Sequence, residues 1–130
     1  MSDDRGQALV VAVILIAVAA AALSGLRAAQ ERIFAETRER RAGEAAVEAA
    51  TAVIADAYAS RADDREIAAV VSDPGVLAVA RDAAIAMSRM NGGPDAEPPS
   101  VTCGPGLIDV AIQVGGRAYR AGFIASCSPR

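Results

Sequence analysis

The chain has 130 residues, 53% of them hydrophobic and 22% charged, with a net charge of −3. That length holds one small domain at most, and the mildly acidic balance argues against a nucleic-acid binder. Histidine, lysine and tryptophan are absent, so the usual catalytic triads, the common zinc sites and any imidazole base are excluded.

Ala8 to Leu26 is nineteen residues without a charge or an amide. As a helix this run is roughly 28 Å long, close to the ~30 Å hydrocarbon thickness of a bilayer. Three readings compete. A secretory signal cut near Ala19–Ala22 has an A-x-A pattern, but its leading residues carry Asp3 and Asp4 against one Arg5. A core helix apolar on every side needs a far larger protein around it. A membrane anchor fits the length and the missing charge, and it is the reading adopted. Flanking charges give no orientation, because acids and arginines oppose one another on both sides. Within the span, Ala17, Ala21 and Gly25 repeat every four residues, a face where another helix can come close; in so alanine-rich a segment the pattern also arises by chance.

No proline occurs before Pro74. Arg27–Glu31, Glu36–Arg40 and Arg40–Glu44 are opposite charges at i,i+4, each supporting a helix by a few tenths of a kcal/mol. The alternation of arginine and glutamate reads as a solvated face rather than a basic patch. Val47, Thr51, Ile54 and Tyr58 then form an apolar stripe. One helix is therefore expected over 7–60, with its membrane part at 8–26 and weak points at Ser24–Gly25 and Gly43.

The remainder, 61–130, reads as a small head. Asp63 or Asp64, with Glu66 close behind, caps a short helix over 63–71. Ser72-Asp73-Pro74-Gly75 ends it and starts a second over 74–90, with the stripe Leu77, Ala80, Ala84 and Met87. Residues 91–99 hold three prolines and two glycines and read as a loop: a mobile tip or a binding loop. The period then changes to two. Ile108, Val110, Ile112 and Val114 alternate with Asp109, Ala111 and Gln113, and Gly115-Gly116 signals a hairpin over 107–126. Pairing Val114 with Arg117 sets Ile112 against Tyr119, Val110 against Ala121 and Ile108 against Phe123, all on one face. Ser100–Cys103 is a candidate further strand. The fold class is α+β: a long N-terminal helix carrying short helices and a C-terminal antiparallel hairpin.

The same register carried outward puts Cys127 opposite Gly104, next to Cys103, with Gly104-Pro105-Gly106 absorbing the offset as a bulge. A disulfide there closes a loop of about 25 residues and contributes about 3 kcal/mol; the alternative is two free thiols. The spacing is not that of a C-x-x-C redox pair, and a metal site lacks ligands. A disulfide places the head outside the cytoplasm.

Arg5-Gly6-Gln7-Ala8-Leu9-Val10, running straight into an apolar helix, resembles the start of TadE/TadG-like proteins, the minor pilins or pseudopilins of the tight-adherence (Flp) type IV pilus system. The alanine-rich continuation and the hairpin after Val114-Gly115-Gly116-Arg117 resemble that family too. The resemblance implies a leader over 1–6, cut by a prepilin peptidase after Gly6 to leave Gln7 as the new terminus. It implies a single-pass protein of the cytoplasmic membrane with its head outside, able to reach the pilus or cell surface on assembly. The family usually carries glutamate at the fifth mature position, where this chain has Val11. That departure favours a tip, initiator or accessory role over a bulk filament subunit.

The function expected is a minor pilin-like component of such a pilus or of its assembly and secretion machine, acting in filament assembly or adhesion. Its partners are the membrane, the prepilin peptidase and other pilin or pseudopilin subunits; no nucleic acid and no cofactor is implied. The alternative is a membrane-anchored binding module using the 91–99 loop. An enzyme is not expected. Asp63, Asp64 and Glu66 are the acids that a catalytic or divalent-ion reading would use, and capping and solvation explain them more simply.

Overall fold

The computed structural model describes residues 3–61 and 69–125, with side chains from Gln7 onward. Its elements are two helices, α1 (Asp3–Ala59) and α2 (Pro74–Met90), followed by three strands, β1 (Ser100–Gly104), β2 (Leu107–Val114) and β3 (Arg117–Phe123). The chain forms two compact units, 1–36 and 37–130. The expected helix over 63–71 falls mostly outside the described residues; Ala69 and Val70 are helical, and Val70 is buried.

α1 runs without interruption through both expected weak points, Ser24–Gly25 and Gly43. The Ser24 hydroxyl donates to the Ala20 carbonyl at 2.8 Å, so that polar group is satisfied inside the helix. Arg40 Nε meets Glu44 at 2.8 Å, one of the expected i,i+4 pairs.

α2 starts where the proline dictates. Pro74 occupies the first turn, where a missing N–H costs nothing, and the Asp73 carboxylate accepts from the N–H groups of Gly75 (2.8 Å) and Val76 (3.4 Å). Arg61 approaches the same carboxylate at 3.6 Å, linking the end of α1 to the start of α2.

The sheet is antiparallel in the order β1-β2-β3. The register between β2 and β3 is Val114 with Arg117, Ile112 with Tyr119, Val110 with Ala121 and Ile108 with Phe123. Gly115 and Gly116 have φ of 60° and 76°. A two-residue turn with positive φ at both positions matches strand twist, and glycine takes it without steric cost. β1 adds a third strand, with Val101 opposite Val110 and Cys103 opposite Ile108.

The core of unit 37–130 joins Ala46, Val47, Ala50 and Ile54 of α1, Ala80 and Ala84 of α2, and Val110, Ile112 and Val114 of β2. Tyr58 and Phe123 meet edge to face with centroids 5.8 Å apart. The buried surface of α1 is shifted towards its small residues: Ala42, Ala46 and Ala50 are fully buried, whereas Thr51 and Tyr58 of the expected stripe are half-buried. On α2 the buried line is Ala80, Ala84 and Ser88, with Leu77 and Met87 half-buried.

Gly43 explains part of that shift. A Cβ built on it meets the Tyr119 ring at 2.1–2.6 Å, so the ring lies directly on helix backbone. The glycine that looked like a helix weakness is a packing site. Gly43→Val therefore destabilises unit 37–130 by about 1–3 kcal/mol through overpacking. The check is thermal or urea unfolding of the variant with and without Tyr119→Ala; the loss should shrink when the ring is absent.

Candidate functional site

The N-terminal part of α1 is the most distinctive surface among the described residues. An 18-residue window within Gln7–Ala59 has a mean hydropathy of 2.8 and none of it is buried, so this helix is long and apolar enough to cross a membrane. Leu9, Val10, Val11, Val13, Ile14, Leu15, Ile16, Val18, Leu23 and Leu26 are all exposed. Ala17, Ala21 and Gly25 lie in this run, exposed as well, and a Cβ added at Gly25 meets nothing within 4 Å. Gly6 and Gln7 fall in the first turns of α1, and Val11 stands one turn further on.

The cysteine geometry needs one correction. Gly104 stands opposite Leu107 of β2. Pro105-Gly106 is a turn that reverses the chain and lays β1 on β2, so the bulge needed to absorb an offset does not arise. Cys103 is exposed on β1 and is not a free thiol. Cys127 lies outside the described residues, as do Asp63, Asp64 and Glu66. The last described contact before Cys127 is the Ala125 N–H donating to the Gly106 carbonyl at 3.3 Å, at the same turn that ends β1.

The loop after α2 is held at most of its positions. Arg89 grips Asp95 with two hydrogen bonds, 2.6 and 2.7 Å. The buried Ser88 hydroxyl donates to the Pro94 carbonyl, and Gly93 N–H donates to the Ser88 carbonyl at 2.9 Å. Asn91 Nδ2 donates to the Met87 carbonyl, Ala96 bridges to Val114, and Glu97 N–H donates to Gln113. The expectation of a mobile tip gives way to a docked segment, because Asn91, Gly93, Pro94, Asp95 and the Glu97 N–H find partners on α2 or β2. Serine at 88 was the missed signal: a small polar residue at the end of an apolar stripe, placed to receive a returning loop.

No group of three or more potential metal-ligating side chains occurs among the described residues. The hydrogen bond from Arg89 holds the Asp95 carboxyl below the ordinary carboxylate range; desolvation opposes it, and the charges of Arg89 and Arg81 add to it. A carboxyl with a lowered folded-state pKa adds stability above its unfolded value, near 3.9, and loses it as pH falls through the lowered value. Asp95 should therefore titrate below a free aspartate in an NMR pH series, and Arg89→Gln should move its titration upward.

No family model, no curated protein and no solved structure matches this chain.

Proposed function

We propose that the chain is a minor pilin-like structural component of a tight-adherence (Flp-type) pilus, or of its assembly and secretion machine. It serves in filament assembly or adhesion, anchored in the cytoplasmic membrane by a single pass with its head outside. The observation that carries this reading is α1 itself. The helix that contributes Ala42 to Ile54 to the core also carries an apolar stretch of which nothing is buried. Lipid covers such a stretch before assembly, and helices of other pilin subunits cover it afterwards. The Arg5-Gly6-Gln7 junction ahead of that stretch supports processing by a prepilin peptidase.

A Cys103–Cys127 disulfide belongs to the same proposal. One residue, Ser126, separates Ala125 from Cys127, at most about 7 Å of chain, and Ala125 is bonded to Gly106, three residues after Cys103. The runner-up, an anchored binding module, used the 91–99 loop as its ligand contact; the bonds of Arg89, Ser88 and Gln113 to that loop leave it less free for such a role.

Three measurements test the proposal. Mass spectrometry of protein from its native membrane should find Gln7 as the first residue; a uniform start at residue 1 or 2, or a cut near Ala22, overturns processing. Mapping without reductant should join Cys103 to Cys127, and free alkylation of both thiols in envelope-purified protein refutes the pairing. Gly25→Leu adds bulk where nothing lies within 4 Å, so the head should keep its circular dichroism while pilus assembly falls. Unchanged assembly, with no cross-link from residues 14–25 to a pilin, leaves an anchored module instead.

A further inference from the structure

The apolar surface of α1 does not end where the uncharged run ends. Val11, Leu15, Val18, Ala22, Leu26, Ala29 and Ile33 follow one another at spacings of four and three, a single stripe along the helix. Leu26, Ala29, Ile33 and Phe34 share one half of the helix surface with Gln30. Arg27, Ala28, Glu31, Arg32 and Ala35 share the other half. The two large residues beyond the span are more exposed than most side chains inside it, Ile33 at 64% and Phe34 at 67%.

A helix that crosses a bilayer upright needs no such one-sided extension, since all its faces leave the lipid together. A tilted helix does, because one face stays in lipid longer than the other. From Val11 to Ile33 the axis rises about 33 Å, so a tilt of roughly 25° fits the stripe within ~30 Å of hydrocarbon. That tilt lies inside the usual range for membrane helices. The charges are compatible with it: Arg27 and Glu31 lie across the helix from the stripe, and Arg32 borders it with a side chain long enough to reach the headgroups.

Resting on the membrane reading above, we infer that Ala29, Ile33 and Phe34 form a lipid-contacting anchor at the boundary between acyl chains and headgroups. The helix leaves the bilayer tilted, with this face the last in lipid. The occupant is a lipid surface, because the stripe is continuous with the span that lipid must already cover.

The experiment is site-directed spin labelling of the full chain in phosphatidylcholine–phosphatidylglycerol vesicles, one new cysteine at a time: Ile14→Cys, Val18→Cys, Ala28→Cys, Glu31→Cys, Ile33→Cys and Phe34→Cys. Collision with oxygen reports lipid, and collision with a water-soluble nickel chelate reports water. The oxygen-to-nickel ratio at 33 and 34 should exceed that at 28 and 31 severalfold, and 14 and 18 should be oxygen-dominated. If 14 and 18 lie in lipid while 33 and 34 match 31, the anchor is refuted and the membrane span stands. If 14 and 18 are open to nickel, both fall. Spin–spin broadening at 33 that vanishes on dilution with unlabelled protein assigns the face to a second copy and also overturns the anchor.

Discussion

The globular unit depends on close approach to one strip of α1. Ala42, Gly43, Ala46 and Ala50 present almost no side chain, and other parts of the unit come down onto the helix there. The Tyr119 ring lies on Gly43, and a Cβ built on Gly93 would meet that of Ala42 at 2.3 Å. Close-packed interiors leave no room for an added methylene at such points. The cost of the arrangement is a core with few large side chains; Ile54, Ile108 and Ile112 are the largest that are fully buried.

From that contact the rest follows in order. Because Gly93 sits against Ala42 and Ser88, the chain leaving α2 turns back at once, and Asn91, Pro94 and Asp95 find partners on α2. The returning segment then meets β2 through Ala96 and Glu97 before it becomes β1. The sheet closes the core with one face only. Val110, Ile112 and Val114 are buried, while Asp109 and Arg120, 3.7 Å apart, hold the wetter face. An antiparallel sheet with one apolar face packs that face on a core and leaves the other to solvent.

What could be read in the sequence was whatever rests on period and turn chemistry. The β2–β3 register follows from Gly115-Gly116 and the alternation of Ile108 to Val114, and α2 begins at its proline. What could not be read rests on size complementarity between distant residues. Periodicity picks out bulky side chains, so it chose Thr51 and Tyr58 over Ala42 and Ala46, and Met87 over Ser88. It scored Gly43 as a helix defect, since Tyr119 is 76 residues away in sequence and nothing local announces their contact. The expected bulge at Gly104-Pro105-Gly106 gave way for a related reason: Pro105-Gly106 is a reversal that gives β2 a strand partner on its other side.

Alanine answers two different demands along α1. In 42–50 it leaves room, and its value is the bulk it withholds. In 8–26 alanine lowers hydropathy relative to leucine while keeping the helix well formed. On the proposed membrane placement the helix-forming tendency matters more than packing there, because every backbone group in lipid must be bonded within the segment. The one hydroxyl in that run, on Ser24, obeys the same rule by bonding to the Ala20 carbonyl. Val11 obeys it as well: an apolar side chain needs no partner in lipid, whereas a glutamate there would need a cation from another molecule. On the proposed membrane reading, a span without that glutamate makes no demand for a neighbour's amine.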